Sequence, residues 1–382
     1  MLNPNNYTVG WICALVSEFV AAQAMLDEFH GIPDYASPND INSYALGKIG
    51  PHNVVIAVLP HGRYGTVSAA AVARSMVHSF PNVRVGFMVG IGGGAPNLEN
   101  DVRLGDVVVG SSVFQFNVGK AVQGQMFEIT KTYEPPPPML RVAVGALYTR
   151  HKMNGHRIQS DIDAAFDRYP RIRHEFGKPG LESDNLFRSD TLHSSHCAGK
   201  GICRADPSKL VRRPRRSPKN DDPFIHYGVI ASSDMLMKDA IMRDDLAKKK
   251  KVICFEMEAA GLVDHFPCLV IRGICDYSDS HKNKMWQGYA AMTAAAYAKD
   301  LLRNIPPGKV AEESRILNVL SEGNGLTPLM AAVQGEWSEV IELLVEGDAS
   351  ENSKDARGTI TLHSGMQENE KRYGKITRGP GC

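Results

Sequence analysis

Carboxylates that follow buried strands are the first candidates for chemistry in this chain. The apolar run 268–271 is typical of a buried strand, and Asp276 and Asp279 lie in the polar stretch just beyond it. Upstream, an acidic cluster that includes Glu258 follows a second apolar run at 252–255. Because α/β folds place their reactive groups beyond the carboxyl ends of strands, we expect Asp276 and Glu258 to lie in the functional site.

A further carboxylate, Glu18, follows the β-rich apolar run 7–16 and lies near the start of a helical pattern. Ser17 is expected to cap this helix, which would place Glu18 in the first turn, where the helix dipole favours negative charge. Judged from this segment alone, a structural role for Glu18 competes with a catalytic one.

Two glycine-containing segments are candidates for contact with a ligand. His61 and Arg63 lie between the predicted strand 54–58 and a small-residue helix at 67–79. This loop is either an anion site at a helix N-terminus or an ordinary turn with a solvated arginine.

The second segment ends the predicted strand 85–91 and has glycines at positions 90 and 92–94. These glycines would let a backbone come very close to a ligand. Their spacing is not that of a dinucleotide-binding fingerprint, and no cofactor is expected.

The composition narrows the class of protein. The 382 residues include 43 basic and 42 acidic side chains, so no overall field favours nucleic acid or a membrane. No apolar run approaches the roughly 20 residues that span a bilayer, and the N-terminus lacks the features of a signal peptide. We therefore expect a cytoplasmic protein whose cysteines, among them Cys13, Cys254, Cys268 and Cys275, are reduced.

The segment at about 150–225 is polar, irregular and reads as an insertion. Its basic run 212–216 is typical of a mobile, solvated loop, with a phosphate-binding or lid role as the alternative. It also contains four possible metal ligands, whose spacing fits no standard zinc pattern, so no metal is expected; these are His193, His196, Cys197 and Cys203.

The C-terminal part has a different character from the rest. We expect a catalytic domain over 1–305, which ends after an alanine-rich helix at 288–304, and then a linker at 306–324. Residues 325–363 resemble one and a half ankyrin repeats, too few to bury a solenoid core alone. A disordered tail is predicted for 364–382.

The motif around Glu258, the motif 272–279 and the glycine-rich segment together resemble the nucleoside phosphorylase/nucleosidase superfamily. The similarity spans roughly 7–304. It is greatest to the methylthioadenosine/adenosylhomocysteine nucleosidases and to fungal purine-phosphorylase-like domains joined to ankyrin or other signalling modules. The resemblance implies a three-layer α/β/α sandwich with a central mixed, twisted sheet, a small-molecule purine substrate and a homo-oligomer.

The same resemblance implies roles for individual residues in breaking an N-ribosidic bond. Asp276 matches the acid at purine N7, and Glu258 matches the carboxylate that holds the ribose hydroxyls. Four methionine and leucine positions match residues that pack on the sugar or read the purine; these are Met257, Met235, Leu236 and Met237, the last as edge reader. Four positions match the lining of the sugar and nucleophile pocket; these are Gly90, Ile91, Gly92 and Gly93.

The choice between water and phosphate depends on two other positions. Phosphorylases of the superfamily grip phosphate with an arginine where this chain has Met88, and with another near Glu18, where the nucleosidases carry a water-activating glutamate. We therefore predict a purine, preferentially adenine, nucleosidase. Ile91 departs from this pattern, because the nucleosidases have a serine there.

The nature of the 5′ group and two other functions remain open alternatives. His61, Arg63 and the run 212–216 are candidates to meet a 5′-phosphate or triphosphate. Phosphorolysis on the same scaffold, with Arg63 as the cation, is the second hypothesis. The third is a catalytically silent nucleoside sensor whose ankyrin-like tail meets a protein partner. Asp279 is expected to be a structural partner for its loop or for Arg272.

Overall fold

Short runs of β-branched and aromatic residues form strands in the computed structural model. The structure describes residues 3–33, 37, 40–120, 122–123, 128–129, 134–193, 206–216, 222–263 and 266–323. Its strands are β1 (Val9–Cys13), β2 (Glu28–Gly31), β3 (Ser43–Ile49), β4 (His52–Val58), β5 (Val85–Gly94), β6 (Val107–Gln115), β7 (Gly119–Lys120), β8 (Glu128–Ile129), β9 (Ile225–Ser232), β10 (Val252–Glu256) and β11 (Cys268–Asp276). Its α-helices are α1 (Val16–Ala24), α2 (Thr66–Ser79), α3 (Pro138–Asn154), α4 (Ile158–Arg168), α5 (Arg173–Phe176), α6 (Ala240–Lys250), α7 (Ala259–Leu262), α8 (Gln287–Arg303), α9 (Pro307–Glu312) and α10 (Ile316–Gly323).

Within the described residues, nine strands form one mixed sheet in the order β10-β9-β6-β11-β5-β1-β4-β3-β2. β1 runs parallel to β4 and β5, and β11 runs parallel to β5 but antiparallel to β6. β10, the strand at one end of this order, also pairs with the central strand β5. The carboxyl ends of β5, β10 and β11 are therefore neighbours.

Helices cover both faces of the sheet. On one face α8 packs on β5 and β11, and α1 and α4 pack on α8. Trp11 and Cys13 of β1 belong to the core on this side. Gly10, the residue before Trp11, points to the other face, where a Cβ on it would lie 2.9 Å from the Met76 sulfur of α2. This arrangement confirms the predicted α/β fold with a mixed central sheet.

The first compact unit of the chain extends to Glu313, and the second begins at Ser314. Residues 306–324, predicted to be a linker, contain α9 and α10. Val310 of α9 is buried in the main core, and the Arg84 guanidinium donates to the Ala311 carbonyl over 3.0 Å. α9 is thus an integral part of the first unit.

Some predictions made from the sequence concern residues that the structure does not describe. The ankyrin-like segment 325–363 and the tail 364–382 lie outside the described residues, as do three of the four possible metal ligands. Within the described ranges, no group of three or more His, Cys, Asp and Glu side chains could hold a metal ion. None of the helices described combines the length and apolar character needed to cross a membrane.

The predicted state of the cysteines is confirmed for the four named above. All four are buried and free of disulfides. The predicted helix at 288–304 occurs as α8. Part of the insertion is also ordered, since α4 packs on α8.

Candidate active site

The glycine-rich end of β5 is the surface on which the candidate residues converge. β11 pairs with it so that Arg272 lies beside Gly90 and Asp276 beside Gly93. A Cβ on Gly90 would lie 2.4 Å from Glu18 Oε1 and 2.5 Å from the Arg272 guanidinium. A Cβ on Gly93 would lie 2.7 Å from Asp276 Oδ1. The glycines are therefore required for the two sets of charged groups to approach one strand.

Glu18 is buried and held by backbone donors. Its carboxylate accepts hydrogen bonds from the N–H groups of Ala14 (2.6 Å), Leu15 (3.0 Å) and Ile91 (2.8 Å). Burial raises the pKa of Glu18, and the charge of Arg272 and the three N–H groups lower it without cancelling the effect of burial. A fixed carboxylate with a raised pKa suits a general base.

The start of α1 corrects one prediction. The helix begins at Val16 with Leu15 in the N-cap position, so Ser17 is not its cap. Glu18 itself reaches back to the N–H of Leu15, as the acidic residue of a capping box does. Its other oxygen, Oε1, accepts the hydrogen bond from the Ile91 N–H of β5. Glu18 therefore stabilises the start of its own helix and is also bonded to β5.

Arg272 is fully buried and shared among carboxylates. Its guanidinium donates to Glu256 and lies 3.5 Å from Glu258 Oε2. Glu256 in turn accepts from the N–H groups of Glu258 and Ala259, both at 3.0 Å. Glu256 thus fixes the start of α7, while Glu258 has the freer carboxylate. The sequence motif contains both acids, but nothing in it distinguishes their roles.

Glu258 has the most strongly raised pKa among the carboxylates of this cluster, about 8. Burial raises it first; Arg272 opposes the shift, and the negative charges of Glu256 and Glu18 add to it. The N–H of Gly65 donates to Glu258 and lowers the pKa slightly. One arginine therefore does not neutralise the three carboxylates around it.

Asp279 does not pair with Arg272, contrary to one of the two expected roles. Its carboxylate accepts from the N–H of His281 over 2.8 Å. This contact supports the other expectation, in which Asp279 stabilises its own loop. The reason is geometric, because Arg272 lies within β11, beside Gly90.

Asp276 lies at the other end of the same glycine segment. Its Oδ1 accepts from the N–H of Ser278 over 2.9 Å. Its Oδ2 lies 2.9 Å from Lys282 Nζ and 3.1 Å from Cys275 Sγ. No motif in the sequence marks Lys282, because a turn after β11 brings it back to the strand end.

The segment predicted to pack on the purine divides between core and surface. Met237 is buried in a hydrophobic cluster with Phe255 and Phe116. Met235 and Leu236 are 46% and 42% exposed. Met257, predicted to lie under the sugar, is partly buried. The predicted roles of these residues at the purine and the sugar therefore stay predictions.

Asp234, which precedes this segment, was not predicted and has a definite role. Its carboxylate accepts from the N–H of Thr66 over 2.7 Å and from the Thr66 hydroxyl. It thereby caps the N-terminus of α2 from a distant part of the chain. The anion site expected at this helix start is already occupied by a carboxylate of the protein.

His61 and Arg63 lie in the exposed loop before α2. His61 lines a cavity of ≈ 420 Å³ that begins at the Ala14–Ser17 turn, next to Glu18. Lys284 and Gln287 also line this cavity, whereas Arg63 does not. His61, but not Arg63, therefore lines this cavity, and contact of either residue with a 5′ group stays a prediction.

The basic run 212–216 is anchored at two of its arginines. Arg213 pairs with Asp184 at 3.0 Å and with Asp101 at 3.3 Å, and it donates to the Tyr277 hydroxyl at 2.6 Å. The predicted solvated loop is wrong for Arg213, because its side chain is largely buried and ion-paired with Asp184 and Asp101. A role of this run at a 5′-phosphate stays a prediction.

Arg216 makes the second anchor. Its guanidinium binds the buried Asp106 carboxylate through two nitrogens. His226 lies 3.0 Å from the same carboxylate. The contact is structural, since it joins the segment before β9 to the start of β6.

The fold defined by this sheet and its glycine-rich strand end is that of the nucleoside phosphorylases and nucleosidases. Residues 8–159 match the family model described as the phosphorylase superfamily. Together these findings confirm the predicted resemblance for the α/β unit, although the match to the family covers less than half of the chain.

Two solved structures have the same fold. The 5′-methylthioadenosine/S-adenosylhomocysteine nucleosidase of Helicobacter pylori superposes with a TM-score of 0.50 at 15% identity, over 79% of this chain and 100% of that one. The corresponding enzyme of Neisseria meningitidis gives 0.50 at 16% identity, over 78% and 99%. At such low identity the likeness concerns the fold alone.

Two curated relatives are similar in sequence. A nucleotide-binding leucine-rich repeat (NLR)-like protein of Hyaloscypha variabilis is 45% identical over 312 residues, which are 80% of this chain and 30% of the relative. The ATP nucleosidase Cap17 of Escherichia coli is 24% identical over 306 residues, which are 77% of this chain and 50% of the relative. The chain thus spans half or less of the length of these relatives.

Proposed function

We propose that this chain hydrolyses the N-glycosidic bond of a purine nucleoside or nucleotide, with adenine as the preferred base. Water is the nucleophile, and the products are the free base and a ribose moiety. The proposal is supported by the fold and by the similarity to a protein named as an ATP nucleosidase. It is carried by one observation, the charge of the cluster around Arg272.

That cluster contains three buried carboxylates and one guanidinium. Its formal charge stays below zero until two of the carboxyls are protonated. A phosphate dianion would be repelled from such a site, whereas a ribose that becomes cationic as the bond breaks would be stabilised. The cluster therefore favours hydrolysis over phosphorolysis.

The proposed roles follow from the positions of the carboxylates. Glu18, fixed beside Gly90, takes a proton from the attacking water. Glu258 accepts hydrogen bonds from the ribose hydroxyls and stabilises the cationic sugar. Asp276, at the other end of the glycine segment, acts at purine N7. The glycosidic electron pair then leaves with the purine, and the water oxygen bonds to C1′.

The 5′ group is proposed to enter the cavity lined by His61 and Lys284. This cavity is lined by the turn whose N–H groups donate to Glu18, and also by Glu175 and by several apolar side chains. Its lining therefore does not by itself distinguish a phosphate from an apolar 5′ group. The preference for a nucleotide substrate over a methylthio nucleoside rests on the similarity to a protein named as an ATP nucleosidase.

Product analysis by HPLC tests the proposal directly. Adenosine, inosine, AMP, ATP and methylthioadenosine are incubated with the protein, with and without inorganic phosphate. We expect free adenine at the same rate in both conditions, and faster release from the nucleotides than from methylthioadenosine.

Two results would contradict hydrolysis and identify the alternatives. Free base that appears only with phosphate, together with ribose 1-phosphate, would establish phosphorolysis. Stoichiometric nucleotide binding in calorimetry without any product after a day would establish a silent sensor.

A further inference from the structure

Asp276, the proposed acid at purine N7, is in direct contact with a lysine. Lys282 Nζ lies 2.9 Å from Asp276 Oδ2, and the Lys282 side chain is 24% exposed while that of Asp276 is 3% exposed. Burial lowers the pKa of Lys282, but the Asp276 carboxylate more than offsets this and leaves it above the ordinary value. Lys282 and Asp276 therefore form a partly buried ion pair.

An ionised carboxylate accepts hydrogen bonds but has no proton to donate. Asp276 can therefore protonate N7 only if it receives a proton from a neighbour. Its described donors are the Ser278 backbone N–H, the Cys275 thiol and the Lys282 ammonium. A backbone amide is not an acid at neutral pH.

The thiol is also a poor source. Cys275 is fully buried, and burial raises the pKa of its thiol well above the ordinary value. Loss of its proton would leave a thiolate next to a carboxylate in the core, which desolvation and like charge both disfavour. Lys282 differs, because it becomes neutral on losing a proton and its partial exposure lets solvent restore that proton.

We propose that Lys282 supplies the proton that Asp276 delivers to purine N7. This inference rests on the proposed hydrolysis. As the bond between N9 and C1′ breaks, its electron pair moves into the purine, and N7 becomes a stronger base. Lys282 Nζ first gives a proton to Asp276 Oδ2, and the carboxyl group formed in this way then gives that proton to N7. Asp276 ends as a carboxylate and Lys282 as a neutral amine.

The remaining protons are exchanged with water. The attacking water bonds to C1′ and gives one proton to Glu18, and solvent later takes this proton and reprotonates Lys282. Lys282 acts through Asp276 and does not itself touch the substrate. It is a positioning and proton-supplying residue.

The test compares two substrates that differ in their need for a proton. One is the adenine nucleotide that the wild-type protein cleaves fastest, and the other is its N7-methyl derivative. The methylated purine is already cationic, so it leaves without protonation. For Lys282→Met we expect kcat on the ordinary nucleotide to fall by about 100-fold or more, the usual scale for acid catalysis, with KM little changed. Its rate on the methylated nucleotide should stay close to the wild-type rate.

Two further variants separate proton supply from simple ion pairing. Lys282→Arg retains a cation beside Asp276 but holds its proton too tightly to release it, so it should not restore kcat. Lys249→Met is the matched control. It removes an ammonium at the same 2.9 Å from an aspartate, Asp245, but on the exposed part of α6. It should leave both rates unchanged.

The possible failures are distinguishable. Equal losses on both substrates for Lys282→Met, or full recovery with Lys282→Arg, would show that Lys282 only holds Asp276 in place. A wild-type protein that cleaves neither nucleotide would refute the proposed hydrolysis and the proton path together. Retained activity on the methylated nucleotide also shows that the variant is folded.

Discussion

Two buried clusters of this protein are built from the same groups but differ in charge balance. At the candidate active site, Arg272 faces the carboxylates of Glu18, Glu256 and Glu258. At the start of β6, the single carboxylate of Asp106 faces Arg216 and His226. The first cluster has an excess of acids, whereas in the second an arginine and a histidine surround a single acid.

The pKa shifts report this difference. At Asp106, burial would raise the pKa, but Arg216 and His226 reverse the effect and hold it below the ordinary value. At Glu18 and Glu258, burial raises the pKa and Arg272 fails to reverse it. A cluster that lacks positive charge is prepared to stabilise a cation that is not part of the protein, and a balanced cluster is not. The comparison therefore distinguishes the candidate active site around Arg272 from the structural cluster around Asp106.

The largest effect is expected for Glu18→Gln. The amide cannot take a proton from water, so kcat should fall by about 100- to 10,000-fold, as for loss of a general base. Steady-state kinetics on the best nucleotide measures this. Glu99→Gln, a change at an exposed surface pair with Lys251, is the control and should have no effect. A loss of less than tenfold at Glu18 would argue against water activation by this residue.

Next in size is the effect of Arg272→Met on stability. The variant leaves three buried carboxylates without their shared cation, which should lower the free energy of unfolding by about 3–5 kcal/mol. Urea denaturation gives the value. The double variant Arg272→Met/Glu256→Gln should recover part of the loss, because one of the unpaired charges is gone. A double variant that is less stable than the single one would contradict this account.

Arg216→Met should affect stability but not catalysis. We expect a loss of about 3 kcal/mol, at the low end for a broken buried ion pair, because His226 still faces Asp106. The folded fraction should keep the wild-type kcat. If kcat fell as far as in Glu18→Gln, the cluster around Asp106 would have to be counted as part of the active site.

Per pH unit, the smallest effect is expected in the pH dependence of the free energy of unfolding. Glu258 has a folded-state pKa of about 8, above the value of about 4.3 expected in the unfolded chain. Between these values the folded state binds more protons, so stability falls as pH rises, by at most about 1.4 kcal/mol per pH unit. Glu258→Gln should flatten this slope in urea titrations.

The structural cluster supplies the opposite sign as a control for the pH experiment. The pKa of Asp106 is lowered by folding, so its contribution is present above the ordinary value and is lost as pH falls. Asp106→Asn should therefore change the dependence only in acid. A Glu258→Gln variant with the wild-type slope up to pH 8 would show that Glu258 is not protonated in the folded state.

Local sequence patterns were sufficient to predict individual strands and helices, and the resemblance to the superfamily supplied the architecture. Strands such as β5 and β11 are short apolar runs, and α3 and α8 have clear helical boundaries. The acids at strand ends could also be found, because their position after an apolar run is visible in the sequence. Asp276 and Glu258 were identified on that basis.

Contacts between distant segments could not be predicted in the same way. Lys282 returns to Asp276 through a turn, and Arg216 reaches Asp106 from the basic run. Neither pairing leaves a periodic signal, because it depends on tertiary geometry and not on spacing along the chain. The basic run was therefore interpreted as mobile, although two of its arginines are anchored.

The hydrogen bonds from Thr66 to Asp234 join residues that are 168 positions apart. Because of these bonds, the start of α2 and the segment after β9 depend on each other structurally. Recombination between relatives that exchanged one of these pieces alone would leave a helix start uncapped or an aspartate without its donor. Redesign of base or 5′ preference should accordingly transfer both pieces together.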